Sequence, residues 1–228
     1  MITSDTRRGI LRDALGIGIA TGAYALSFGA ISVTAGLSIA QTCALSVLMF
    51  TGASQFAFVT VIASGGSPWA GVATATLLGT RNALYGLRLA ALLEVSGFRR
   101  AAAAQFVIDE TTAMAIAPDV PEQSRLAFWA TGLSIFSLWN LGTLIGALAT
   151  HALPDPTVLG FDAAPPAAFL ALLAPRLRAR EPVAIALAAA LIALVLLPFV
   201  PAGVPLLVVA VLVVLYGVRP QPGSPRNR

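Results

Sequence analysis

Residues 39–63 read IAQTCALSVLMFTGASQFAFVTVIA, and this stretch decides the class of fold. It carries no Asp, Glu, Lys or Arg, and it exceeds the about 20 apolar residues that cross a bilayer as a helix. The composition of the 228 residues agrees, with 57% hydrophobic and 11% charged residues and a mean hydropathy of +0.86. Soluble domains carry about 25% charged residues. We therefore exclude a soluble enzyme, a nucleic-acid-binding module and a disordered scaffold.

Seven further apolar segments surround this stretch, separated by Gly- and Pro-rich breaks. Most are long enough to span a bilayer, whereas the sixth and eighth of the whole series are short and are candidates for re-entrant or partly unwound helices. The pattern predicts an all-α, polytopic integral membrane bundle of seven to eight hydrophobic segments. The seven are 14–35, 68–93, 101–117, 127–150, 163–175, 183–200 and 204–218.

This reading divides the chain into three parts. Residues 1–13 are expected to form a cytoplasmic N-terminal arm, residues 14–218 the transmembrane domain, and residues 219–228 a polar cytoplasmic tail. We expect no cleavable signal peptide, because the first apolar run is long and Gly-rich and no small-residue cleavage site follows it.

The positive charge marks orientation rather than nucleic-acid binding. All 14 basic residues are Arg, and they lie in short clusters between apolar runs. If all eight segments cross, ten arginines fall on the side of the N-terminus and only Arg99 and Arg100 on the other. The positive-inside rule then predicts both termini in the cytoplasm of a multi-pass bacterial inner-membrane protein. One re-entrant early segment would bring Arg99 and Arg100 inside, so a seven-span count stays open.

Ionisable residues inside the apolar segments are the strongest functional signal. Each costs about 2.5–3.5 kcal/mol at the bilayer centre and should face a partner or a cavity. Arg81 lies in the middle of the third segment, and Asp109 and Glu110 lie in the middle of the fourth. Opposite charges on adjacent segments predict an ion pair, which either locks two helices together or lines a polar pathway. Arg88 is nearer an interface and can extend towards it.

Small and polar residues interrupt two other segments. Residues 51–55 place Thr-Gly-Ala-Ser-Gln inside the second run, where a helix can break and expose backbone groups to a cavity. Asn140 belongs to a polar stripe on the fifth segment, which is as typical of contacts between helices as of a cavity lining. Gly18-x-x-x-Gly22 and Gly142-x-x-x-Gly146 predict close helix packing. Several glycines, including these, recur 124 residues later, which would fit a parallel duplication.

Catalytic and metal-binding patterns are missing from the sequence. It shows no Ser/His/Asp set and no phosphate-binding Gly loop, and the single His151 and single Cys43 lie far apart. We therefore expect a protein that is not an enzyme, with no metal and no cofactor.

The motifs resemble those of the AzlC family, the large subunit of bacterial branched-chain amino acid exporters. Gly36-Leu37-Ser38 followed by residues 50–56, FTGASQF, is similar to the family's GLS…FxGAxQF signature. The resemblance runs from about residue 16 to residue 175. Around Arg81 the family usually has Asn-x-Arg-His, whereas this chain has Gly79-Thr80-Arg81-Asn82. Further matches are Asp109-Glu110-Thr111, Trp139 with Gly142 and Gly146, Gly160-Phe161-Asp162, and Phe169.

The resemblance implies export of Leu, Ile, Val and sometimes Met, together with a small membrane partner subunit of the AzlD type. The residues support the same chemistry. A hydrophobic amino acid needs a cation for its carboxylate, acceptors for its ammonium group and an apolar pocket. Arg81 can donate two parallel hydrogen bonds to a carboxylate. The predicted substrate-binding residues are Arg81, Gly52, Ser54, Gln55 and Asn140, and the predicted proton-coupling pair is Asp109 and Glu110, with Asp109 favoured.

Overall fold

The computed structural model describes residues 2–152, 170, 174, 177–200 and 204–217, which are helices and turns without a strand among them. Two of the described helices, Ser4–Thr34 and Pro121–Ala152, are each long and apolar enough to cross a membrane. The helices are α1 (Ser4–Thr34), α2 (Ile39–Leu48), α3 (Ala53–Ala63), α4 (Pro68–Leu93), α5 (Gly97–Gln105), α6 (Asp109–Ile116), α7 (Pro121–Ala152), α8 (Arg180–Leu196) and α9 (Val204–Gly217).

Helices α1 and α7 run parallel to each other in tight contact. A Cβ added at Gly18 would lie 2.1 Å from Ser134 Oγ, and one at Gly146 would lie 2.1 Å from the Leu26 carbonyl oxygen. Between these two points Gly22 lies against Gly142. The residue numbers therefore rise together along the two helices. Both predicted glycine motifs are confirmed as packing surfaces, because only a glycine lets the backbones approach this closely.

Helix α4 runs in the opposite direction to α1 and α7. Its last turn packs on the first turns of α7, with Leu89 and Leu93 against Phe128, and Arg125 pairs with Glu94 just after the helix ends. The end of α4 therefore lies level with the starts of α7 and α1. A helix of 26 residues spans about 39 Å, so α4 begins near the other end of the bundle, where α1 finishes.

The second apolar segment forms a helical hairpin, here named hairpin A, which comprises α2 and α3. Helix α2 begins just after α1 ends, and α3 finishes just before α4 begins. Helix α3 runs antiparallel to α4, since Ser54 approaches Gly79 while Phe58 contacts Gly71. Both ends of the segment thus lie at one end of the bundle, and its two helices of 10 and 11 residues each cover only half the depth. The break that the sequence indicated at residues 51–55 is present, so residues 39–63 form two half-length helices and not one continuous helix.

The fourth segment forms a second hairpin, hairpin B, which comprises α5 and α6. It begins after α4 and returns before α7, so it lies at the end of the bundle opposite to hairpin A. Ala103 of α5 and Ala115 of α6 both pack with Leu89, Leu93 and Phe128 at that end. The sequence analysis predicted one apolar segment here, and the hydropathy of that segment gives no sign of the turn at residues 106–108.

Each hairpin turns at a short non-helical tip, residues 49–52 in hairpin A and 106–108 in hairpin B. At tip A, Gly52 has φ 61°, a conformation that favours glycine, and its N–H donates to Gln55 Oε1 over 3.0 Å. At tip B the N–H of Ile108 donates to Thr111 Oγ1 over 3.1 Å. In both tips the accepting side chain lies three residues after the residue whose N–H donates. The two hairpins thus form an inverted pair. The parallel repeat indicated by the glycine spacing pairs other residues, and it stays a prediction because its copies at Gly160 and Gly203 lie outside the described residues.

The hairpins change the distribution of arginines between the two ends of the bundle. Because hairpin B starts level with the start of α1, Arg99 and Arg100 lie at the same end as Arg7, Arg8 and Arg12. This placement agrees with the alternative in which one early segment is re-entrant, and not with the one in which all eight segments cross. Arg125 lies at this end too, whereas the links at residues 35–38 and 64–67 at the opposite end contain no arginine.

Three predicted regions need a short comment. Helix α1 begins at Ser4, so most of the expected N-terminal arm is continuous with the first apolar helix. The sixth segment, apart from Leu170 and Ala174, and the tail at residues 219–228 lie outside the described residues, as do Gly160-Phe161-Asp162 and Phe169. Helices α8 and α9 form an antiparallel pair, in which Tyr216 Oη donates to Glu181 Oε1 over 3.2 Å.

Candidate functional site

The two hairpin tips meet in the middle of the bundle. Gln105, at the end of α5, donates from Nε2 to the Val47 carbonyl oxygen near the end of α2 over 2.7 Å. The rings of Phe50 and Phe106 lie 6.2 Å apart, and Phe136 of α7 packs edge-on against both. This aromatic contact holds the tips together beside α7. Two broken helices therefore place four helix ends in one region, where they can act on a charged ligand.

An ion pair lies next to these tips. Arg81 Nη2, from the middle of α4, lies 2.9 Å from Asp109 Oδ2, and the two side chains are 25% and 31% exposed. The pairing expected between the third and fourth segments is thus present. Asp109 is the first residue of α6, where the positive end of the helix also favours a carboxylate. The second carboxylate, Glu110, lies close enough to both charges to interact electrostatically with each.

Both charged partners keep hydrogen-bonding capacity. Arg81 Nε and Asp109 Oδ1 are buried and have no hydrogen-bond partner within the described part of the chain. Each residue therefore uses one terminal atom in the ion pair and has a further atom for another group. A purely structural salt bridge is most favourable when its remaining donors and acceptors are satisfied. The unpaired atoms of both residues are therefore available to a further group.

The predicted residues of hairpin A serve the tip in different ways. Gln55 is fully buried, accepts from Gly52 and donates from Nε2 to the Leu45 carbonyl oxygen over 3.2 Å. Its side chain therefore joins the two halves of the broken segment. Ser54 is 2% exposed, has no hydrogen-bond partner among the described residues, and lies against Gly79 of α4. Ser54 thus lies where α3 and α4 meet.

Asn140 lies on α7, one turn beyond Phe136. Its Nδ2 donates to the Phe136 carbonyl oxygen over 2.8 Å, and its Oδ1 is buried without a partner among the described residues. Elsewhere on the same polar stripe, Thr143 Oγ1 accepts a hydrogen bond from Ser46 Oγ over 3.2 Å, and Ser134 faces Gly18. The stripe therefore serves mainly in contacts between helices.

Sequence reasoning missed the second tip and a cavity beside both tips. The cavity measures about 470 Å³ and lies between the ends of α2 and α5 and one face of α4. One sequence signal could have revealed the second tip. Phe50 and Gln55 of hairpin A have counterparts 56 residues later in Phe106 and Thr111, which occupy the same positions in hairpin B.

No group of three His, Cys, Asp or Glu side chains suited to a metal ion occurs in the described ranges. The site is instead a charge pair at the meeting point of two broken helices within an apolar bundle. This arrangement is that of a membrane protein with a transport-related role, in which broken helices create polar sites at mid-membrane. The chain belongs to the AzlC family: residues 16–153 match the family described as AzlC protein. The resemblance inferred from the sequence motifs is confirmed.

One curated relative is Inner membrane protein YgaZ of Escherichia coli (strain K12). The two proteins are 31% identical over 147 residues, which cover 62% of this chain and 60% of YgaZ. The relative's name supports a membrane location for this chain. No solved structure matches the present chain.

Proposed function

We propose that this chain is the large subunit of a secondary transporter that exports branched-chain and other hydrophobic amino acids, driven by the proton gradient. The observation that carries the proposal is the Arg81–Asp109 ion pair beside two oppositely directed hairpins. A small AzlD-type membrane subunit is its proposed partner. The alternatives are an exporter of another small zwitterion and a membrane assembly subunit that transports nothing.

The ion pair supplies a mechanism for coupling. A substrate carboxylate that binds Arg81 competes with Asp109 for the guanidinium group. Asp109 released from the pair loses its counter-charge in a low-dielectric region, which favours uptake of a proton. Substrate binding and protonation are thereby linked at one site. Each charge that crosses 100 mV supplies about 2.3 kcal/mol, which is enough to concentrate an amino acid about fiftyfold.

The hairpins supply the two gates that such a mechanism needs. Hairpin A approaches the site from the end where α1 finishes, and hairpin B approaches it from the end where α1 begins. Movement of hairpin A alone would open the site at one end, and movement of hairpin B at the other. Inverted pairs of this kind are typical of alternating-access transporters.

The positions of the arginines support an orientation in the membrane. Arg7, Arg8, Arg12, Arg99, Arg100 and Arg125 lie at one end of the bundle, and residues 35–38 and 64–67, which link helices at the other end, contain no arginine. By the positive-inside rule, the end with the arginines faces the cytoplasm. Hairpin B is then the cytoplasmic gate and hairpin A the outer gate, and the N-terminus is cytoplasmic. We place the C-terminus on the same side, as the arginines of the tail predict.

The test is a counterflow assay in proteoliposomes that contain the full chain with and without an AzlD-type subunit. Vesicles preloaded with unlabelled leucine should accumulate labelled leucine, and Arg81→Gln should abolish that exchange at equal protein abundance. An assembly subunit would instead show no exchange in any combination, and Arg81→Gln would lower only the amount of assembled complex. Exchange of another zwitterion but not of leucine, isoleucine or valine would favour the second alternative.

A further inference from the structure

The cavity beside the hairpin tips has a composition suited to a small amphipathic ligand. Its volume of about 470 Å³ falls within the about 300–1,000 Å³ typical of small-molecule sites. Apolar side chains and small residues form most of the wall, and a few polar groups interrupt it. The residues from the two tips are Leu48, Met49, Phe50, Thr51, Ala104, Gln105 and Val107.

The α4 wall of the cavity consists mainly of small residues. Gly79, Ala83 and Gly86 recur at three- and four-residue spacing, which places them on one helix face together with Asn82. A Cβ added at Gly86 would meet nothing within 4 Å, whereas one at Gly79 would touch Ser54. Gly86 has no positive φ that would demand glycine, and it makes no close helix contact. Its missing side chain therefore leaves open space in the cavity.

The polar groups of the cavity favour a cation. Asn82 Oδ1 is buried and accepts no hydrogen bond from the described residues. Helices α2 and α5 both finish at the cavity, with Leu48 and Gln105 as their last residues. The carbonyl end of a helix carries a partial negative charge, so two such ends attract an ammonium group. The cavity thus combines ammonium acceptors with an apolar wall.

We propose that this cavity holds the ammonium group and the apolar side chain of the transported amino acid, and that Gly86 sets the largest side chain it accepts. The inference rests on the proposed export of hydrophobic amino acids and adds its size-determining residue. Asn82 and the helix ends bind the ammonium group, and the side chain lies over Ala83 and Gly86. Arg81, the residue before Asn82, lies close by for the carboxylate.

The experiment compares wild type with the variants Gly86→Ala, Gly86→Val and Gly86→Leu. In each, it measures how strongly unlabelled alanine, 2-aminobutyrate, valine and leucine inhibit counterflow of labelled leucine. Gly16 of α1 supplies the control, because a Cβ there also meets nothing within 4 Å but lies away from the cavity. The variants Gly16→Ala, Gly16→Val and Gly16→Leu make the same changes in helix propensity and side-chain size as the three Gly86 variants. Gly86→Ala keeps the test possible if the larger variants reach the membrane poorly.

The expected result is a change in selectivity rather than a uniform loss. Each added methylene should weaken leucine relative to alanine by about tenfold or more, as in other apolar pockets, with no change in the Gly16 series. If inhibition by all four amino acids changes equally at equal protein abundance, or does not change, the role of Gly86 is overturned and the proposed function stays in place. Absence of exchange in the wild type would instead overturn the proposed function, and this inference with it.

Discussion

Gln105 Nε2 donates to the Val47 carbonyl oxygen over 2.7 Å and so joins the tip of hairpin B to the tip of hairpin A. The two residues belong to segments that enter the bundle from opposite ends. Their contact joins the two segments where the tips meet. It also lies at the wall of the cavity, which Gln105 helps to line. The contact between the two tips and the wall of the cavity thus share one residue.

The hairpins predict a topology opposite to that of a chain in which every segment crosses. Ser64, in the link after hairpin A, should face outwards, and Ser96, in the link before hairpin B, should face the cytoplasm. Both serines are exposed. In a Cys43→Ser background, an impermeant maleimide applied to whole cells should label Ser64→Cys and should label Ser96→Cys only after permeabilisation. The reverse pattern would mean that both segments cross as continuous spans.

Arg81 and Arg88 offer a matched pair of arginines on α4. Arg81→Lys keeps the charge but loses the planar fork, so transport should fall about tenfold to a hundredfold, as for the loss of a hydrogen bond worth about 1.5–3 kcal/mol. Arg88 is exposed, and Arg88→Lys should transport normally. Counterflow rates normalised to membrane abundance provide the measurement. Equal kinetics in Arg81→Lys, Arg81→Gln and wild type would remove Arg81 from the site.

Asp109 and Glu110 differ in their contacts, which makes them separable. Asp109→Asn imitates the protonated carboxyl group, so it should abolish accumulation driven by an imposed pH gradient and leave some exchange. Glu110 forms no ion pair with Arg81 in the structure, and Glu110→Gln should retain gradient-driven accumulation. The measurement compares uptake with and without the pH gradient. Asp109→Asn that still concentrates substrate in a pH-dependent way would transfer the coupling role to Glu110.

The contact between α1 and α7 predicts a stability difference between two glycines. A Cβ at Gly146 would lie 2.1 Å from the Leu26 carbonyl oxygen, a backbone atom that cannot move aside. Gly146→Ala should therefore destabilise the bundle by about 1–3 kcal/mol, as overpacking does. In Gly16→Ala the added methyl group meets nothing within 4 Å, so this variant should not destabilise the bundle. Thermal unfolding in detergent measures both, and equal melting temperatures would contradict the close packing of α1 and α7.

The sequence by itself indicated that the protein lies in a membrane, which family it resembles, and which charged residues form the site. With 11% charged residues the chain cannot cover a water-exposed surface, so its membrane location follows from composition. The cost of burying a charge in lipid singled out Arg81 and Asp109 and paired them correctly. The glycine motifs gave the contact between α1 and α7, because small residues matter there through local spacing.

The tertiary structure alone decided whether an apolar segment crosses or turns back. Hydropathy is the same for a spanning helix and for two half-length helices in a hairpin, so the hydropathy of residues 101–117 gave no sign of the turn at 106–108. Such turns are possible because side chains satisfy backbone groups that the broken helices leave free. Thr111 Oγ1 accepts from the N–H of Ile108 in hairpin B, and Gln105 Nε2 donates to the carbonyl oxygen of Val47 in hairpin A. The cavity formed by α4 and the two tips arises from these long-range contacts, which no local pattern encodes.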